Sequence, residues 1–286
     1  MGRLLHHFVV DVDPRRLFPA IGRLRCAMPH STIAAFTHRG RVRPDNEDAL
    51  AVDGRIFTGD MAAPVVMTQS SDCGLLIIAD GMGGHAHGAM ASRAVLDYLV
   101  AAVDRLSNPA SCAEAIEEAN QHLYALMQEH PEALGMGSTL VGAVLTAERL
   151  VTFNVGDSRC YLFSAGQLVQ LSHDDVPEGE NSHFGPRRSH ALTQALGGSS
   201  FPIAVEPHIS VDPPLAPGET LLLCSDGLTD MVTSQVISDT LKTAKDPLQA
   251  AKTLAARAFG AGARDNLSLL VARCLDAPDL QRKEFG

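Results

Sequence analysis

Three apolar runs in this chain end the same way, on an aspartate at the point where a strand must turn: LLIIAD at Asp80, VTFNVGD at Asp157 and LLLCSD at Asp226. A fourth aspartate, Asp265 in GARDN, stands just ahead of the apolar run LSLLVARCL. In an antiparallel sheet the end of one strand and the start of its neighbour lie on one edge, so all four carboxylates can converge. Taken singly, each has an ordinary reading, because Asp-Gly after a strand and Asp-Asn before one are common turn chemistry. Taken together they repel and resist losing water, and such a cluster is stable only if cations compensate its charge. Oxygen donors without Cys or His at metal spacing select Mg²⁺ or Mn²⁺ over zinc.

RVRPDNEDAL adds a fifth cluster: Arg43 precedes Glu47 by four residues, Asp48 follows, and an apolar run opens at Ala49. It reads either as a turn with solvated charges or as an acidic metal ligand beside a guanidinium whose planar fork suits a phosphate oxygen.

The rest of the pattern fixes the fold class. STIAAFTH, ALAVDGRIFTGD, CGLLIIAD, the stretch from STLVGAVLT to RCYLF, AGQLVQLS and ETLLLC are short β-branched runs divided by Gly, Asp and Asn. GAMASRAVLDYLVAAVDRLS and SCAEAIEEANQHLYALMQEH have helical apolar spacing, the second with Ser111 and Glu114 placed as a capping box, and TSQVISDTLKTA with DPLQAAKTLAARAF suggests a second helix pair. Grouped strands and paired helices predict an α+β fold: a four-layer α-β-β-α sandwich of two antiparallel sheets flanked by pairs of antiparallel helices. Residues 1–30 read as an extension, 31–276 as one domain with a long loop over 172–204, and 277–286 as a tail.

Composition excludes other classes. A net charge of −10, from 23 basic and 33 acidic residues, leaves no basic footprint for nucleic acid. No apolar stretch reaches membrane-spanning length. The first residues lack a secretory h-region and the six cysteines form no CxxC pair, so a cytoplasmic protein with reduced thiols is expected. DGMGG lacks the GxGxxG spacing of a nucleotide-binding loop.

RVRPDNED, ADGMGG, GMGST, VGDSR, LTQALGG, CSDGLTD and RDN, in this order and approximate spacing, resemble the metal-dependent serine/threonine protein phosphatases of type 2C, and in particular their bacterial branch. The resemblance covers Ile33 to Leu275, and makes 31–276 a catalytic domain and the loop over 172–204 flap-like. It implies hydrolysis of phosphoserine and phosphothreonine in proteins by a hydroxide bridging two divalent cations, Mn²⁺ or Mg²⁺, with a third, weaker site. By the same resemblance Asp80 bridges the two metals, the Gly81 carbonyl and Glu47 serve the second, and Asp226 and Asp265 serve the first. Asp157 helps Asp226 hold the third metal, Asp48 holds a metal-bound water, and Arg43 contacts phosphate. The partners implied are phosphorylated substrates of a cognate Ser/Thr kinase.

Two departures stand out. Met82 occupies the place where some relatives carry a proton-donating His, leaving His85, His87 or metal-bound water for that part. HDDV replaces the DHS sequence that opens the flap of bacterial relatives, and the following stretch with His183, Arg187, Arg188 and His190 either meets a phosphate or solvates the loop.

Overall fold

The structure is a computed structural model that describes residues 31–69, 73–84, 86–177 and 191–275. The expectations for the amino-terminal extension, the tail, His85 and the flap residues His183, Arg187, Arg188 and His190 lie outside the described residues.

One sheet has six strands in the order β10 (Gln167–Gln170), β9 (Arg159–Ser164), β13 (Thr220–Cys224), β14 (Leu267–Cys274), β1 (Ser31–His38) and β4 (Val65–Thr68). The other is built on β5 (Cys73–Met82), which pairs with β2 (Asp48–Val52) on one side and with β7 (Leu140–Thr146) on the other. β3 (Arg55–Thr58) extends β2; β8 (Leu150–Val155) and β12 (His208–Asp212) continue from β7. β6 (Gly137–Ser138) pairs with Gly81 and Met82 at the end of β5 on one side and with β11 (Leu196–Gly197) on the other. Every pairing is antiparallel, as expected.

Helices cover both outer faces. α1 (Ala86–Ala101) and α3 (Pro109–Glu129) pack on the eight-stranded sheet, with the short α2 (Val103–Leu106) between them. α4 (Asp226–Thr229), α5 (Ser234–Thr243) and α6 (Pro247–Gly260) cover the six-stranded one. The four-layer sandwich is therefore the observed architecture.

Strand alternation divides the core into layers. On β5, Leu75, Ile77 and Ala79 face the α1 and α3 side, whereas Leu76 and Ile78 enter the layer between the sheets. Leu50 and Val52 of β2, Leu221 and Leu223 of β13, and Leu270 and Ala272 of β14 fill the same inter-sheet layer. All are essentially fully buried, and at about 1.5–3 kcal/mol per large side chain this layer is a main source of stability.

Some elements differ from the sequence reading. The expected Ser111–Glu114 box does not cap α3; Asn108 does, its Oδ1 accepting from the Ala110 and Ser111 amides at 3.0 and 3.3 Å. Pro109 explains the shift, because a residue without an N–H and with fixed φ suits the first helical position, which places the cap on Asn108, three residues before Ser111. The block read as one helix from Gly88 to Ser107 breaks at Ala102, whose amide is shared between the Tyr98 and Leu99 carbonyls. β4, β11 and β12 carried no clear strand signal. α5 and α6 follow the expectation, capped by Thr233 and Asp246.

Candidate active site

The inter-sheet layer ends in polar groups on one side of the sandwich, and alternation says which. Two residues beyond Ile78 on the same face stands Asp80; two before Leu50 stands Asp48; two after Leu223 stands Ser225; two before Leu270 stands Ser268. Asp48 and Asp80 are partners in register. Ser225 donates to Asp48 Oδ2 at 2.9 Å and accepts from the Ser268 amide at 3.0 Å, so the two sheets are joined by hydrogen bonds where the apolar filling stops.

Beyond this cap opens a cavity of about 750 Å³, within the size range of ligand sites. Arg43, Glu47, Asp80, Asp157, Asp226 and Asp265 all line it, together with Gly81. Residues drawn from five separate sequence motifs thus meet in one space. Asp48 is one layer behind: it is 1% exposed, and its Oδ1 has no hydrogen-bond partner.

The electrostatics follow from the crowding. Burial pushes the Asp48 carboxyl up to about 7, with Asp226 and Asp265 adding to the rise. Asp80 is held well above the usual carboxylate range, first by burial and then by Asp48, Asp226, Asp157 and Asp265. Among the described residues lining the cavity Arg43 is the one cation; its Nη2 donates to Asp265 Oδ2 at 2.7 Å, which keeps the guanidinium charged. One arginine against this many carboxylates leaves the described part of the cluster short of positive charge. Together with an orphaned buried carboxylate oxygen and an all-oxygen donor set, that deficit fits hard divalent cations.

Each ligand candidate is delivered by a specific local device. At Gly81 a Cβ would strike the Gly88 and Glu47 carbonyls, so the missing side chain lets β5, α1 and the Glu47 segment touch. The close neighbour of Gly81 is thus protein backbone. Gly83, at φ +126°, and Gly84, at φ +75°, then make the turn into α1. Gly156, at φ +95°, turns the chain after β8 and presents Asp157 to the cavity. Ser158 is hooked to Thr139 at 2.8 Å, and Arg159 is anchored on Asp174 in a buried ion pair at 2.6 Å. Asp174 and Asp175 of HDDV therefore face inward as supports, with Asp175 Oδ2 accepting the Gly156 amide at 2.8 Å.

Asn266 is the functional residue that the sequence reading quoted without a role. Its Oδ1 accepts from the Glu47 amide at 2.8 Å, while its Nδ2 donates to the Arg39 and Asp45 carbonyls at 3.1 and 2.9 Å. The segment carrying Arg43 and Glu47 is thereby pinned to the start of β14. Asn between Asp265 and an apolar run signals a turn, and nothing local reveals a partner more than 200 residues away. Met82 lines the cavity, whereas His87 does not.

The sequence matches the protein phosphatase 2C family over residues 59–261. The chain belongs to that family. Among its relatives, the serine/threonine phosphatase stp of Listeria welshimeri is 33% identical over 254 residues, covering 82% of this chain and 92% of the relative. The serine/threonine protein phosphatase PstP of Mycobacterium tuberculosis is 33% identical over 256 residues, 85% of this chain; the match spans only 45% of PstP's own length. A crystal structure of the M. tuberculosis PstP phosphatase superposes with a TM-score of 0.69 at 31% identity, covering 86% of this chain and 100% of the solved one. A second PstP catalytic-domain structure, at 30% identity and a TM-score of 0.67, contains two manganese ions. Family members of this fold are metal-dependent enzymes, in keeping with the oxygen-rich cavity found here.

Proposed function

We propose that this chain is a protein-serine/threonine phosphatase, hydrolysing phosphoserine and phosphothreonine in other proteins with two divalent cations, Mn²⁺ or Mg²⁺. The observation that carries this reading is the gathering of Glu47, Asp80, Asp157, Asp226 and Asp265 with Arg43 around one cavity of a family fold. When bound, such a cation pair supplies a bridging hydroxide at neutral pH for in-line attack on phosphorus.

The chain's own residues divide the remaining tasks. Asp80 sits centrally among the acids and is the natural shared ligand, with Glu47 and the Gly81 carbonyl on one side and Asp226 and Asp265 on the other. Asp157, on its own turn, serves a third and weaker position together with Asp226. Asp48, whose free Oδ1 lies behind Asp80, accepts a hydrogen bond from an ordered water and orients it. Arg43 holds one carboxylate oxygen of Asp265 and keeps further N–H donors for the phosphate oxygens, which fixes the ester in line. Met82 carries no proton to give, so the leaving alkoxide takes its proton from water.

The substrates in this reading are targets of a cognate bacterial Ser/Thr kinase in the cytoplasm. No helix among the described residues is long and apolar enough to cross a membrane. The deciding experiment is hydrolysis of a phosphothreonine peptide with and without Mn²⁺. Activity that requires the ion and is lost in Asp80→Asn supports the assignment; an Asp80→Asn enzyme as fast as the wild type refutes it.

A further inference from the structure

A second constellation lies on the flank of the cavity, and it is of different chemistry. His173, Asp175 and His208 bring two imidazoles and a carboxylate together, with one ligand atom from each within 4.8 Å of the others. His208 Nε2 is 2.8 Å from Asp175 Oδ1, and the His173 and His208 ring centroids are 4.6 Å apart. We propose that these three residues form a binding site for a borderline divalent cation, zinc foremost, separate from the carboxylate cluster.

The geometry is built rather than incidental. Asn154, buried on β8, accepts the His173 amide at 3.0 Å and donates to the His173 carbonyl at 2.6 Å; it is also the register partner of His208 on β12. One buried amide therefore fixes the backbone of one histidine and lies opposite the other. Asp175 is held equally firmly: its Oδ2 accepts from the Gly156 amide at 2.8 Å and from Gln194 Nε2 at 3.1 Å, which turns Oδ1 toward His208. Outer hydrogen bonds of this kind are what orient the ligands of metal sites.

The donor set decides the ion. Two imidazoles and one carboxylate suit Zn²⁺, Ni²⁺ or Cu²⁺ and are poor for Mg²⁺, which prefers all-oxygen shells. Three protein ligands leave a position open to water, and His173, which is exposed, faces solvent from which an ion can enter. At metal–ligand distances of about 2.0–2.2 Å a tetrahedral ion holds its ligand atoms about 3.3–3.6 Å apart, so the 2.8 Å His208–Asp175 contact opens slightly as side-chain adjustment completes the shell. On binding, the ion replaces the hydrogen bond between His208 and Asp175, and any proton shared there leaves to solvent.

The position gives the site a consequence. Asp175 and Gly156 exchange two hydrogen bonds, and Gly156 directly precedes Asp157; Gln194 lines the cavity. An ion here ties β12 to the chain following β10 and stiffens the turn that presents Asp157.

The test is calorimetric titration of the full chain with Zn²⁺ in excess Mg²⁺, beside electron paramagnetic resonance with one equivalent of Cu²⁺. The proposal expects one Zn²⁺ bound, at least tenfold weaker in His173→Ala and in His208→Gln, and unchanged in Asp80→Asn. It also expects nitrogen hyperfine splitting on Cu²⁺ that the double variant loses. Far-ultraviolet circular dichroism checks that both surface variants remain folded. Equal Zn²⁺ affinity in the wild type and the double variant, or binding lost only in Asp80→Asn, overturns the proposal and leaves the His208–Asp175 contact as a simple hydrogen bond.

Discussion

Asp48 and Asp80 stand directly opposite one another across the β2–β5 ladder, two carboxylates in register at the mouth of the inter-sheet layer. Like charges so placed are unfavourable, and the protein meets that cost by holding protons or by holding cations.

A pH dependence follows. Both carboxyls lie above the ordinary range, Asp48 near 7, so the folded chain keeps protons that the unfolded chain has released above about pH 4. Their contribution to stability therefore falls as pH rises between about 4 and 7. Thermal unfolding in chelator is expected to show this decline, to show less of it in Asp48→Asn, and to show Mn²⁺ stabilising most at the alkaline end. An identical slope in Asp48→Asn counts against the assignment.

Asn266→Ala removes the clamp on the Glu47 backbone without replacing a proposed ligand side chain. Loss of such a support typically weakens metal affinity about 10–100-fold. Activity titrated against Mn²⁺ is expected to shift by that much and to recover near the wild-type maximum at saturating ion. A maximum that stays low at every concentration would point to a role in chemistry instead.

Arg43→Ala is expected to raise KM for a phosphopeptide about 10–100-fold, the weight of a charge-assisted hydrogen bond. Arg43→Lys keeps the charge without the fork and should recover only part of the loss. Steady-state kinetics separate the two.

Gly227 is the second residue of α4, next to Asp226, and a Cβ there would fall on the Asn266 carbonyl. Gly227→Ala is expected to destabilise the fold by about 1–3 kcal/mol, the usual cost of overpacking, read by urea denaturation. A neutral result would mean that α4 and β14 separate easily.

Arg159 and Asp174 form an ion pair in which both side chains are nearly inaccessible, at 6% and 4%. Removing one partner leaves the other charge buried, so Asp174→Ala is expected to cost about 3–5 kcal/mol. An apolar replacement of both, Arg159→Met with Asp174→Leu, is expected to restore much of it. Equilibrium unfolding of the three proteins is the measurement.

Much of this was legible in the sequence because period-2 apolar runs report strands directly and their terminal aspartates share an edge. β5, β7, β8, β13 and β14 sit where LLIIAD, LVGAVLT, LVTFNV, TLLLC and LSLLVARC placed them. What escaped notice lacked such a signal. β4 and β12 are edge strands with exposed positions at Val66 and Val211, so burial leaves little imprint on their composition. Asn266 and Ser225 act through partners remote in the chain, and HDDV reads as a loop although Asp174 and Asp175 are inward anchors. Burial and long-range partners, rather than local pattern, decide those roles.

The Glu47 amide resting on Asn266 joins positions 219 residues apart. While a ribosome is still making the intervening chain, the amino-terminal half of the cavity has nothing to close against. Contacts of such long sequence separation form late. Until the start of β14 emerges, the Glu47 segment of a growing polypeptide therefore lacks the side chain that holds it at the cavity, and the two halves of the acidic cluster assemble only once nearly the whole chain has been made.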